Sequence, residues 1–256
     1  MKFILGLLLA GALWTESAFA DPNTEERRYA ALSLIGDSIT VVTYRSSTGS
    51  NLDSNLQRSF PVPGSRIDKM VLLAIDKSLG QINHEANTVL LVLDPATIKS
   101  ESENLLDGQR FNPGKTLDQA LKQQPVTHLL LVTKYRADAK IRILDGDEGS
   151  GQLEGVGFYI DRRMRMVHTD TGEEARGFLG PYTYFKVSLI DLATSTVMGQ
   201  QLVTSGDAHV AFGDEDNTDP WNALSADQKS NAINSLIKRG ISDAVPALVK
   251  ADGDTK

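Results

Sequence analysis

A single α/β domain built on a mixed sheet is predicted by three features of this 256-residue chain. Two strand-like apolar runs meet across Gly36-Asp37-Ser38 within residues 31–44. Two shorter apolar runs, residues 88–93 and 129–132, enclose a segment with helical spacing, the pattern of a strand-helix-strand unit. The chain then closes on Ala232, Ile233, Leu236, Ile237 and Ile241, which lie on one stripe of a long helix. No repeat and no linker between two cores divides residues 21–256. The class expected is therefore α/β in the broad α+β sense, with an N-terminal hairpin, a strand-helix-strand unit, a later antiparallel hairpin and a C-terminal helix.

Residues 1–20 read as an export signal. Lys2 supplies the positive end, residues 3–14 the apolar stretch, and Ala18-Phe19-Ala20 a small-x-small cleavage site. The mature chain is expected to begin at Asp21 and to reside in the periplasm, or to be released. The apolar stretch is too short for a lasting membrane span, and no later stretch approaches the length of one. Residues 21–28 are polar and predict an extended leader.

The first hairpin rests on local chemistry. Ile39, Thr40, Val41, Val42 and Thr43 are all β-branched, lose side-chain freedom in a helix and suit a strand. Gly36-Asp37 supplies the unusual backbone of a short turn before them. Residues 45–64 are rich in Ser, Gly, Asn and Pro and predict a long loop, a type of segment often tied to function. Ile67, Met70, Val71, Ala74, Ser78 and Leu79 then recur at helical spacing, with Asp68, Lys69, Asp76 and Lys77 on the outer side and Gly80 as C-cap.

Residues 88–93, closed by Asp94-Pro95, and residues 129–132 predict strands buried on both faces. Leu117, Ala120 and Leu121 predict a modest helix between them, so the strands should run parallel through a right-handed crossover. Residues 145–155 are rich in Gly and acids and break the pattern. Phe185, Val187 and Leu189 alternate with Tyr184, Lys186 and Ser188, the pattern of a strand with one face buried, which turns at residues 191–195 and returns over residues 197–203 as a hairpin. Ser225 is the expected N-cap of the last helix, with Gln228 at the capping-box position. Gly240 weakens that helix, and Pro246 should end or kink it near Ala244.

The net charge of −7 argues against a non-specific nucleic-acid binder, which needs a clustered basic face. The absence of cysteine excludes a lipoprotein anchor, a disulfide framework and a thiolate metal site. No cofactor is expected. Asp145, Asp147 and Glu148 in a Gly-rich loop are the alternative for a Ca²⁺ site, as are Asp214, Glu215, Asp216 and Asp219. Neither set follows the spacing of an EF-hand loop. Arg162, Arg163 and Arg165 read as wet strand surface, and Phe158, Tyr159, Tyr182, Tyr184 and Phe185 as core and cross-strand packing.

Gly36-Asp37-Ser38-Ile39-Thr40 resembles the first block of the GDSL or SGNH hydrolases, which implies a serine nucleophile at the start of a helix. That family also carries Gly-x-Asn-Asp and Asp-x-x-His blocks, and this chain has neither. Its nearest substitutes are Gly80-Gln81-Ile82-Asn83 and Asp207-Ala208-His209, the latter one residue too tight. A serine without a base within reach is not activated. The turn is therefore preferred, and an SGNH-type ester hydrolase using Ser38, with Asp207 and His209 as partners, stands as the alternative.

The layout as a whole, with Thr127-His128-Leu129-Leu130-Leu131-Val132 as a buried strand and residues 188–194 (Ser-Leu-Ile-Asp-Leu-Ala-Thr) as a hairpin, resembles periplasmic envelope accessory domains of the curli-secretion-pore and Tol-system amino-terminal type. The opening Ser33-Leu34-Ile35-Gly36-Asp37 resembles uncharacterised exported proteobacterial proteins. These resemblances imply a non-catalytic binding or assembly module whose partner is another envelope protein. They carry over no site residue. The surface expected to meet that partner is a sheet edge or the 45–64 loop.

Overall fold

The computed structural model describes residues 27–46, 54–83, 88–93, 105–144, 146–168, 170–212 and 219–253. Its axis is β12 (Glu174–Asp191), whose middle is buried on both faces rather than on the one its alternation predicts: Tyr184 and Ser188 are as fully buried as Phe185 and Val187. One edge of β12 is shared by two antiparallel strands lying end to end. β11 (Gln152–Val167) takes the first half and β7 (His128–Lys134) the second. The other edge pairs with β13 (Thr196–Gly206), which forms the expected later hairpin. Asp191 closes that turn, its Oδ1 accepting from the backbone N–H groups of Ala193 (2.7 Å) and Thr194 (3.2 Å).

Outside β7 and β11 runs the N-terminal ribbon. β1 (Tyr29–Leu34) lies parallel to β7, and β2 (Ser38–Thr43) lies parallel to β11. The strands predicted on both sides of Gly36-Asp37 are therefore present, but they do not pair with each other. The expected N-terminal hairpin is instead one ribbon bent at Gly36 (φ 79°) as it passes from β7 to β11. β-branched side chains specify extended backbone but not its neighbour. The hairpin partner of β2 is β3 (Leu56–Pro61), so part of the predicted 45–64 loop is a strand, and residues 47–53 lie outside the described residues.

β4 (Val89–Leu91) is parallel to β1 on its far side. β4 and β7 thus run parallel, as the strand-helix-strand pattern requires, with β1 inserted between them. Asp94-Pro95 lies outside the described residues. The intervening helix is α2 (Lys115–Lys122), preceded by the small ladder of β5 (Leu106–Asp107) and β6 (Arg110–Phe111), which continues beyond β13. β8 (Arg136–Asp138) pairs with the start of β11, and β9 (Ile141–Ile143) forms a separate hairpin with β10 (Gly146–Glu148). The acid-rich break predicted from residue 145 is largely this hairpin and the approach to β11, with Asp145 outside the described residues.

The main core lies on one face of the sheet, beneath α1 (Arg66–Ile82) and α3 (Ala226–Gly253). Alternation assigns Val156, Phe158 and Ile160 of β11 to this face, and Leu153 and Tyr159 to the opposite one. On the opposite face, α2, β5 and β6 cover a second core through Leu117, Leu121 and Phe111, and residues 137–141 cover a third around Tyr159, Phe178, Tyr182 and Tyr184. The predicted aromatic set is fully in these cores. Burial pushes the Tyr184 phenol up to about 12, against the Lys140 N–H that donates to it at 2.8 Å.

Three helix details differ from expectation. α1 runs past Gly80 to Ile82 and is closed by extended Asn83, whose N–H reaches the Leu79 carbonyl. Asp68, placed by periodicity on the outer side of α1, is buried. Pro246 lies inside α3 rather than ending it, because Val245 and Leu248 beside it are buried on the sheet and outweigh one lost backbone bond. The capping box stands as expected: Ser225 N–H donates to Gln228 Oε1 (2.8 Å), and Gln228 N–H to Ser225 Oγ (3.2 Å).

Gly240 is buried where α3 presses on β13 and β12. A Cβ there would sit 2.5 Å from Val203 Cγ1 and 3.2 Å from Phe185 Cζ. Gly240→Ala gains about 1 kcal/mol of helix propensity but overpacks this contact, at about 1–3 kcal/mol. A net loss of about 1 kcal/mol in urea denaturation is expected; a midpoint at or above the parent's would show that Val203 yields freely.

Candidate functional site

The face of the β2–β3 hairpin turned toward the helices is only partly covered. Ile39 and Val41 of β2 and Leu56, Arg58 and Phe60 of β3 point into a groove of about 750 Å³, closed on the far side by the first turns of α1 and α3. Its floor is the flank of the main core, where Ile67, Phe158, Ile160 and Ile233 are buried. Its outer wall is exposed and apolar: Leu56 is 42% exposed and Phe60 51%. Such a concave, apolar site with a few polar groups at its rim is the usual form of a ligand pocket.

The wall on the α3 side is tightly built. Asp219 caps the 3-10 turn Pro220–Ala223, its Oδ1 accepting from Trp221 N–H at 3.0 Å. Arg162, on β11, donates to both Asp219 oxygens at 3.1 and 3.3 Å. The Trp221 N–H, followed by Arg162, holds the Asp219 carboxyl below the usual carboxylate range. Trp221 packs edge-on against Phe158, with ring centroids 5.5 Å apart, and Lys229 Nζ lies 4.3 Å from the Trp221 ring centroid while donating to the Leu224 carbonyl. Partial burial lowers the Lys229 pKa, and Asp219 opposes that shift.

Charge at this rim runs against the rest of the molecule. Arg58, Arg66, Arg162 and Lys229 line the groove with Asp219 as the single carboxylate, in a chain whose net charge is −7. Among the described residues, Arg58 and Arg66 have no ion-pair partner, whereas Arg162 is matched by Asp219. The N-terminal ends of both helices add positive potential at the same place.

The residues singled out from sequence are distributed differently. Ser38 is the first residue of β2, opposite Pro61, rather than the start of a helix. It borders a small polar cleft of about 190 Å³ on the other face of the ribbon, with Lys134, Arg136, Glu154 and Tyr182 and no histidine. His209 pairs with Leu179, which pairs with Ile160, which pairs with Thr43. Three strand spacings sideways and five residues along β2 put Ser38 roughly 20 Å from His209. Asp207 accepts from Arg142 (2.7 Å) and Arg239 (2.9 Å), and burial lowers the His209 pKa against the Asp207 charge. Asp207 and His209 are neighbours, and Ser38 is apart from both.

Asp147 and Glu148 lie exposed on β10, while Asp145, Asp214, Glu215 and Asp216 fall outside the described residues. Among the described residues no cluster of three metal-ligating side chains forms. Of the basic trio, Arg163 stacks over Tyr44 and Arg165 pairs with Glu174 across the β11–β12 ladder, while Arg162 belongs to the groove.

Gly36-Asp37 has a structural task that the sequence concealed. Asp68 Oδ1 accepts from Ser33 Oγ (2.6 Å) and from Gly36 N–H (3.1 Å), and Val62 N–H donates to the Asp37 carbonyl (2.8 Å). The bend in the ribbon is thereby tied to the start of α1 and the end of β3. Burial holds the Asp68 carboxyl above the usual range, with the Asp37 charge adding and the Ser33 and Gly36 bonds opposing.

No protein-family model matches this chain, and no curated protein does.

Two solved structures are similar to it at low identity. Protein XCC0632 from Xanthomonas campestris, of family DUF330, aligns over 90% of this chain and 87% of its own at 7% identity and a TM-score of 0.39. The hypothetical protein CT253 from Chlamydia trachomatis aligns over 87% of this chain and 99% of its own at 9% identity and a TM-score of 0.30. Among the described residues, no helix is long and apolar enough to cross a membrane.

The sequence signal for the groove was present but masked by composition. Leu56, Phe60 and Val62 alternate at even positions with Arg58 between them, a strand period inside a segment whose Ser, Asn and Pro content suggests a loop.

Proposed function

We propose that this chain is an exported, non-catalytic binding or assembly module of the cell envelope, and that it meets a protein partner along the β2–β3 ribbon. The observation that supports this reading is β3. It ends the strand order of the large sheet, all six of its residues are exposed, and among the described residues no strand occupies its outer side. An open edge of this kind offers a row of backbone donors and acceptors, which an extended segment of a partner can use to add a strand. The first neighbour expected is another envelope protein.

Photo-crosslinking in the producing cell tests the proposal. A photoreactive residue at Gln57 or Ser59, on the face of β3 away from the groove, is expected to give an adduct of one discrete mass. The same residue at exposed Lys238, on α3, is expected to give none. Adducts absent from both β3 positions, or equal at all three, would remove this surface from consideration.

A further inference from the structure

The groove behind β3 has a chemistry of its own, distinct from the strand edge. We propose that it binds a single-chain anionic amphiphile, with the alkyl chain against Ile39, Val41, Phe60 and Met70 and the anionic head among Arg58, Arg66 and Lys229. Three observations converge on this occupant. The interior is apolar and concave, with a volume of about 750 Å³, inside the roughly 300–1,000 Å³ typical of small-molecule sites. The polar groups sit at the rim, so one end of the occupant must be charged and the rest must not.

The sign of that charge is set by the rim. Asp219 neutralises Arg162, which leaves Arg58, Arg66 and Lys229 in excess. Lys229 is held in place by Trp221 and the Leu224 carbonyl, whereas Arg58 and Arg66 are exposed and free to close over a head group. A neutral amphiphile leaves those cations unmatched, and a cationic one meets repulsion.

The groove carries its own reporter. The chain has two tryptophans, Trp14 and Trp221, and Trp221 lines the groove. In the chain from Asp21 onward, where Trp221 is the single tryptophan, titration with laurate is expected to shift its emission saturably. Dodecyltrimethylammonium and dodecyl maltoside, whose tails are one methylene longer, should nevertheless bind at least about tenfold more weakly. Acetate, the head without the chain, should have no effect. Arg58→Glu with Arg66→Glu should weaken laurate about tenfold while leaving the thermal midpoint and far-ultraviolet circular dichroism unchanged, since both side chains are exposed. Phe60→Asp, also exposed, should weaken it independently.

Equal affinity for the three head groups would overturn the proposal, because the rim would then make no selection. So would the absence of both a saturable Trp221 response and a calorimetric signal with laurate. Either result is independent of whether β3 crosslinks to a partner.

Discussion

Alanine at position 157 is expected to cost about 3 kcal/mol or more, enough to unfold the β2–β3 ribbon or the whole domain. Gly157 pairs with Thr40 on one side and Tyr182 on the other, in ordinary strand conformation. A Cβ there would run into the Thr40 carbonyl oxygen and lie 2.6 Å from the Tyr182 hydroxyl. The carbonyl belongs to the backbone of β2 and cannot rotate away. The Tyr182 ring crosses the glycine to donate to that same carbonyl at 3.3 Å. Relief therefore requires β2 to leave β11, and because β2 walls the groove, ligand binding should fail along with stability. Urea denaturation checks this, and a loss under about 0.5 kcal/mol, within the range of ordinary surface substitutions, would show that the ribbon shifts without penalty.

Asp68→Ala should be nearly as damaging, at about 2–4 kcal/mol, because it strands the buried Ser33 Oγ and the half-buried Gly36 N–H. Asp68→Asn keeps an acceptor for both and should cost less than half as much. The two variants separate the hydrogen bonds from the charge. The pH dependence follows from the raised pKa of Asp68. Its folded pKa lies above the ordinary value of 3.8, so its contribution is full below 3.8 and is lost as pH rises through the folded value. The thermal midpoint of the parent relative to Asp68→Asn should accordingly improve on acidification from neutral toward 3.8. A pH-independent gap between them would mean that burial does not perturb this carboxyl.

Much of the fold was legible because local chemistry and tertiary context agree. The β-branched run at residues 39–43, the alternation at residues 184–189 and the Ser225 capping box each produced the element they signal. Pairing was less legible. Nothing in residues 31–44 distinguishes a turn that folds a strand back from a bend that sends it on, since both ask only for a glycine at positive φ. Gly240 and Pro246 are the opposite case, since local propensity argues against a helix that tertiary contacts keep. Helix propensity is a property of the isolated segment, whereas here the contact with Val203 and the burial of Leu248 decide. The groove was hidden because its outer wall lies in a segment whose average composition is that of a loop. Asp68 was hidden because a carboxylate at a helical outer position is ordinarily wet.

The parallel placement of β1 against β7 and of β2 against β11 has a consequence for how the molecule reaches its final state. Arg28 meets Thr127 across 99 residues of chain, and Thr40 meets Tyr182 across 142. The meander of β11, β12 and β13 closes through short connections by comparison. Contacts of long sequence separation bear the larger loop-closure entropy and form later. The first strands to be synthesised are thus expected to be the last to dock, onto a C-terminal template that is already folded, and the β3 edge is finished only at that final step.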